Sequence, residues 1–461
     1  MNAVLIGVLV YVLAQLVIGL LVSRRISTQE DYILAGRSLG FGLATFTIFA
    51  TWFGAETCIG SAGAIYEEGL SGGSADPFGY GLCLLLMGLV FAAPLWRRRL
   101  ITLADLFRNR YSPKVERIAV LMMVPSSVIW AAAQIRAFGQ VLSASSEVGV
   151  TVAITIAAAA VVIYTVSGGL LADAITDLIQ GVALILGLII LLLTVVYLMG
   201  GVENVIARIR PEQLRIFGGG DTSLAVMLEA WAVPICGSVV AQELVSRVIA
   251  ARSEEVARRS ALAAAGIYIM VGMIPVLIGL VGASLIPDLK EPEHILPLIA
   301  QQHLSTLLYI FFAGALVSAI LSTVDSTLLV AASLVSQNLI VSWHPELKEK
   351  TKLRVSRIGV VVFGLVAYWI ALYAEGIYQL VKDASAFGSA GIFIVVVFGL
   401  FTRFGGARSA LAALLFGMAV WVYGKYVSGF AYSYLSSLGT ALITYISVAL
   451  IEHKRASWLS S

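Results

Sequence analysis

The sequence predicts an all-α membrane protein of about thirteen transmembrane helices, and three observations carry that prediction. First, its 461 residues are 59% hydrophobic and only 12% charged, with a mean hydropathy of +0.95. A water-soluble domain carries about a quarter charged residues. Second, the apolar residues gather into runs near the roughly 20 residues that a helix needs to cross a bilayer. Third, the connections between runs alternate between basic and acidic, as the two faces of a membrane require.

Taken in order, the expected spans lie near 2–23, 40–68, 77–96, 116–144, 149–166, 172–200, 222–250, 259–286, 305–338, 354–374, 377–401, 405–427 and 430–451. The first has neither a basic leader nor a small-residue cleavage site, so it reads as a retained helix rather than a signal peptide. Arg24, Arg25 and Arg37 follow it, and Glu67, Glu68 and Asp76 follow the second span. The third is followed by Arg97, Arg98, Arg99, Arg108, Arg110, Lys114 and Arg117. Later basic connections hold Arg252, Arg258 and Arg259, then Lys348, Lys350, Lys352, Arg354 and Arg357, then Arg403 and Arg408. Lys454 and Arg455 in the tail lie on the same side, and Asp288, Glu291 and Glu293 mark the other. The positive-inside rule then puts the N-terminus outside and the C-terminus in the cytoplasm, which needs an odd number of helices. The connection 201–221 balances Arg208, Arg210 and Arg215 against Glu203, Glu212 and Asp221 and declares no side.

Several function classes are disfavoured. Cys58, Cys83 and Cys236 fall inside spans, so no disulfide framework is implied. His294, His303, His344 and His453 lie in or beside connections, which argues against a histidine proton relay or a catalytic metal. No phosphate-binding glycine loop is followed by Lys-Ser/Thr, so ATP is not the direct energy source. No nucleophile–base pair emerges, so an enzyme is not expected. The run Arg97–Arg99 reads as a topological anchor, not a nucleic-acid site.

Two spans are interrupted. The second carries TWFGAETCIGSAG, with Gly54, Gly60 and Gly63 bracketing Glu56 and Thr57; the seventh carries Pro234, Gly237 and Ser238 ahead of Gln242 and Glu243. Such glycines serve either close helix packing or an unwound segment that frees carbonyls beside a cavity. The two lie five spans apart, the pattern of paired five-helix inverted repeats that each begin with a broken helix. The expected single transmembrane domain therefore has an extra N-terminal helix (2–23), repeats at 40–200 and 222–401, and two C-terminal helices within 405–451.

The chemistry concentrates in Ala313–Leu334, AGALVSAILSTVDSTLLVAASL. Ala319, Ser322, Thr323 and Ser326 follow i, i+3, i+4, i+7 spacing and share one helix face. Ser and Thr in membranes often bond back to their own helix. That accounts for one or two hydroxyls, not for five hydroxyls and Asp325 together. Oxygen-only donors imply a hard cation, and the expected guest is sodium.

With GAETCIGSAGAIYEEG, LADLFRNRYS, YTVSGGLLADAITDLIQ, QELVSRVIAARS and SAILSTVDSTLL in that order, the chain resembles the sodium:solute symporter family. The resemblance implies a LeuT-type fold in the plasma (inner) membrane and sodium-coupled symport by alternating access. For the main sodium site it implies the carbonyls of Ala55, Cys58 and Ala319 and the hydroxyls of Ser322 and Thr323. For a second sodium it implies Asp177, Ser322, Asp325 and Ser326, although Asp325 stands where some two-sodium members carry a hydroxyl, so it either strengthens that site or pairs elsewhere. Asp177 read by itself is either a helix-start cap or a functional carboxylate.

TWFGAETCIGSAGAIY, GYGLCLLLMGLVFAAPL and IWAAAQIRAFG resemble the choline-transporter branch most. That branch points to Trp52, Tyr80 and Trp130 as an aromatic box for an ammonium group, although aromatics at membrane depth also simply pack. The branch's further cage tryptophan is replaced by Ala241 or a neighbouring small residue. Glu56 is expected to neutralise a cationic or zwitterionic solute or to be structural, and Gln134, Arg136 and Gln242 are polar contacts for it. The expected partners are a small organic solute, choline-like or amino-acid-like, the sodium ion and the lipid bilayer. A membrane sensor of a small solute and a proton-coupled symporter are the alternatives; a sensor would continue into a cytoplasmic domain, whereas this chain ends about ten residues after its last span. The oligomeric state is left open.

Overall fold

Glycine, proline and small polar residues decide where helices stop in this chain. The computed structural model describes residues 28–144, 148–217, 223–344, 346–374 and 376–460, with isolated positions between 6 and 21. Most of the expected first span, 2–23, lies outside the described residues. Helix α1 (Gln29–Leu34) opens with a capping box in which Thr28 and Asp31 each bond the other's backbone N–H.

The expected span 40–68 is two helices, α2 (Phe41–Trp52) and α3 (Ser61–Glu68), joined through Phe53, Gly54 and a π-helical turn at Glu56–Gly60. Gly69 (φ 68°, ψ −154°) and Asp76 (φ −138°, ψ 126°) leave helical geometry before α4 (Tyr80–Leu86), whose path continues to Arg97. After α5 (Leu103–Arg110) and α6 (Pro113–Ala144) comes α7 (Val150–Leu198). It unites two expected spans in one helical run, broken at Gly169, whose φ of 64° lies in the left-handed region open to glycine.

The second half repeats the device. Helices α8 (Val202–Arg208) and α9 (Leu224–Ala232) precede a π-helical turn at Val233–Gly237, and α10 (Gln242–Ile249) follows at a bend of 41°. Then come α11 (Glu254–Leu285), α12 (Ile295–His303), α13 (Thr306–Val335) and α14 (Glu349–Tyr373). Helices α15 (Ile377–Ala386) and α16 (Ser389–Phe401) bend by 42° about Gly388, φ 68°. That third interruption was not anticipated from the sequence. Helices α17 (Ala407–Val422) and α18 (Ser433–Ser460) pack together at the end.

The chain is all-helical, with no β-strand among the described residues; Leu39 and Ala251 form one isolated bridge. Among them, eight helices are long and apolar enough to cross a membrane, or ten if each bent pair is one span.

Burial sorts inner helices from outer ones. Every side chain of α13 from Phe312 to Leu334 is buried, so this helix is the axis of the molecule. By contrast, α14 buries only the stripe Ser356, Val360, Gly364, Ala367 and Ala371. The small stripe permits close approach: a Cβ at Gly364 would stand 2.4 Å from Val162. Its other faces expose Leu365, Val366 and Trp369, as a helix against lipid must.

Candidate ion and solute site

The polar core forms where α2, α7, α10 and α13 meet. Thr47 and Thr51 lie one turn apart on α2, and both face inward. The Thr47 hydroxyl donates to Asp177 of α7 at 2.5 Å, and Ser322 of α13 donates to the other Asp177 oxygen at 2.5 Å. Asp177 is fully buried, which removes the reading of it as a solvated helix cap.

One turn away, Arg247 of α10 is buried with no exposed area. Its guanidinium donates to Asp173, to Ser326 and, at 2.9 Å, to Thr51; it also reaches Ser246 and the Glu243 carbonyl. Four helices are thus tied through one side chain. Ser326 faces Asp173 (3.0 Å) and Arg247, rather than Asp177. Asp325 faces Thr165 and Asp173, and its Oδ2 has no hydrogen-bond partner. The residues expected around a second ion are therefore divided, with Asp177 and Ser322 in one group and Asp325 and Ser326 beside the Asp173–Arg247 pair.

At the break in α2 a second network forms. The Thr323 hydroxyl lies 3.1 Å from the Thr51 carbonyl and 3.2 Å from the Ala319 carbonyl. Gln134 of α6 accepts from the Ala55 N–H at 3.0 Å and donates to Glu56 at 2.7 Å, and the Trp130 indole donates to the other Glu56 oxygen at 3.1 Å. Gly54 sits between them: a Cβ there would lie 2.5 Å from Glu56 and 2.9 Å from the Thr323 hydroxyl. Of the five residues expected at the main sodium site, Thr323 reaches the break through the Thr51 carbonyl and bonds back to Ala319, Ala55 pairs with Gln134, the Cys58 N–H bonds the Gly54 carbonyl, and the Ser322 hydroxyl turns to Asp177.

Asp76, read from the sequence as a charge in a connection, is instead fully buried and accepts from Thr57 (2.7 Å) and Tyr268 (2.8 Å). Trp52, Tyr80 and Trp130 do cluster, Trp52 meeting Tyr80 edge-on at 6.4 Å and Trp130 edge-on at 5.1 Å. A partly open, narrow cleft of about 30 Å³ lies next to them, and of the residues expected to touch a solute only Trp130 and Gln242 line it. The Gln242 carbonyl oxygen accepts from the Leu103 N–H at 2.6 Å. Arg136 points elsewhere, to the Ala371 carbonyl.

Sequence reasoning passed over Asp173, Arg247, Thr47 and Thr51. A signal existed for two of them, since a carboxylate and a guanidinium inside apolar spans are costly unless paired.

Two interrupted helices laid against a buried hydroxyl- and carboxylate-bearing helix define a membrane transporter with a LeuT-like fold. A solved Na+-coupled sialic acid symporter superposes with a TM-score of 0.85 at 18% identity, covering 97% of each chain. The sodium:solute symporter family model matches residues 32–417, and the chain belongs to that family. The human high affinity choline transporter 1 is 30% identical over 94% of this chain and 78% of its own length. The sodium/pantothenate symporter of Haemophilus influenzae is 27% identical over 85% of this chain and 83% of its own. The protein is a multi-pass, sodium-coupled solute symporter and not an enzyme.

Proposed function

We propose that the coupling sodium binds at the break in α2, held by the carbonyls of Ala55, Cys58 and Ala319 and the hydroxyls of Ser322 and Thr323. The observation that carries this reading is the Thr323 hydroxyl, which already bridges α13 to the last turn of α2. An ion there ties the two helices together and favours one conformation. Coupling then requires the ion to bind that conformation better than its alternative, because equal affinity shifts nothing. Asp177, with Asp325 and Ser326 nearby, is the place for a second sodium.

The solute is a small cationic or zwitterionic organic molecule, choline-like or amino-acid-like. The named relatives handle choline and pantothenate, and the cleft lined by Trp130 and Gln242 is the place for it, with Trp52, Glu56, Tyr80 and Gln134 acting from behind that lining. Thirteen helices complete the architecture: the two five-helix repeats at 40–200 and 222–401, the extra helix 2–23, and the last two helices. The N-terminus lies outside and the C-terminus in the cytoplasm of a cell whose plasma (inner) membrane holds the chain.

Thr323→Ala tests the site. It removes one oxygen and little volume, so folding survives. Loss of one ligand costs on the order of 1–3 kcal/mol, about ten- to hundredfold in sodium affinity. Solute uptake against sodium concentration reads this directly, and an unchanged sodium half-saturation in the variant rules the site out.

A further inference from the structure

The cleft beside Trp130 lies where the second and third helix interruptions face α6. Gly237 and Ser238 come from the first of these, Ser385 and Phe387 from the other, and Ser127 and Trp130 from α6. The fit is close, since a Cβ at Gly237 would stand 2.3 Å from the Ser385 carbonyl oxygen.

Most polar groups on this cleft are engaged. The Trp130 indole serves Glu56, the Gln242 oxygen serves Leu103, and Ser389 donates to the Ser385 carbonyl at 2.6 Å. The Ser385 hydroxyl pairs with the Tyr80 hydroxyl at 2.9 Å. Two groups stand apart. Ser127 approaches the Glu243 carboxyl group, yet Glu243 Oε1 has no hydrogen-bond partner, and neither has the Ser238 hydroxyl. Both residues are at least 97% buried. Arg247, one turn further along α10, is close enough for its charge to act on Glu243 but leaves Oε1 without a donor, because its guanidinium donates to Asp173, Ser326, Thr51, Ser246 and the Glu243 backbone carbonyl.

A buried carboxylate oxygen without a donor is unfavourable, so the site is built for a guest that supplies one. We infer that Glu243 and Ser238 bind the positively charged nitrogen of the transported solute, and that this nitrogen carries N–H groups. A quaternary ammonium presents only methyl groups and would leave Oε1 unpaired. A primary or secondary ammonium, or an amidinium, satisfies both oxygens, while Met123, Phe387 and the Trp130 ring hold its carbon body. The edge-on packing of Trp52 and Tyr80 also keeps them from lining the cleft as a cage. This inference rests on the reading of the cleft as the solute site of a sodium-coupled symporter.

Ethanolamine and choline make a matched pair of probes, sharing the hydroxyethyl chain and differing in N–H against N–CH3. Thermal stability of the purified full chain is measured in amine-free phosphate buffer, with sodium or potassium, against each probe. Sodium alone is expected to raise the midpoint, and ethanolamine to raise it further at a half-saturating concentration at least tenfold below that of choline. Glu243→Gln keeps the sodium shift and loses the ethanolamine response. Ser238→Ala, a milder change that serves if Glu243→Gln does not fold, weakens the response several-fold. Equal or tighter binding of choline, an ethanolamine response that survives both substitutions, or no ethanolamine response beside a normal sodium shift overturns the inference and leaves sodium coupling standing. Absence of any sodium shift overturns the underlying reading and the inference with it.

Discussion

Removing one partner of the Arg247–Asp173 pair tests whether the transporter core is held by that contact. The guanidinium and carboxylate are both buried, with 0% and 1% of their side chains exposed. At about 3 Å and an effective dielectric of about 20, their attraction is about 5 kcal/mol. Breaking a buried pair from one side costs roughly 3–5 kcal/mol, because the remaining charge is stranded. The two sides are not equivalent. Asp173→Asn leaves Arg247 with Ser326 and Thr51 as acceptors, whereas Arg247→Met leaves Asp173, Asp177 and Asp325 together with no cation among them. Arg247→Met is therefore the more damaging change, and the double variant recovers much of the loss. At about 2.1 cal/mol/K of unfolding entropy per residue, a chain of 461 residues loses about 1 °C per kcal/mol. The single variants should lower the thermal midpoint of the purified protein by about 3–5 °C. Additive losses in the double variant, or a single variant within 1 °C of the wild type, would refute the argument.

Two further predictions follow from close contacts and charge. Gly54→Ala places a Cβ 2.5 Å from Glu56, 2.9 Å from Thr323 and 3.1 Å from Gln134; uptake should fall at least tenfold while surface expression holds, and normal transport by this variant would show that the break in α2 is not the working site. Single cysteines at the exposed positions Glu291 and Glu346, in a background without the three native cysteines, should label from outside and inside respectively; labelling of both from one side overturns the thirteen-helix topology.

The sequence by itself determined the class of molecule, because the solvent imposes it. A chain with 12% charge and apolar runs of bilayer length has few ways to satisfy its backbone except as packed helices. The interruptions at Gly54 and Gly237 were legible for a similar reason, as glycine amid small polar residues marks where a helix unwinds. So was the hydroxyl face of α13, since helical periodicity alone puts Ser322, Thr323 and Ser326 side by side. Which of those hydroxyls meets which carboxylate was decided only by tertiary structure. Adjacent on the helix, Ser322 and Thr323 turn to different partners, Asp177 on α7 and the Thr51 carbonyl on α2. The same holds for Asp76, polar enough to read as a connection and buried between Thr57 and Tyr268, and for Arg247, a motif residue that ties four helices together. Pairing such as that of Arg247, across 74 to 196 positions of sequence, leaves no local pattern, because it depends on how the helices cross rather than on how each one winds.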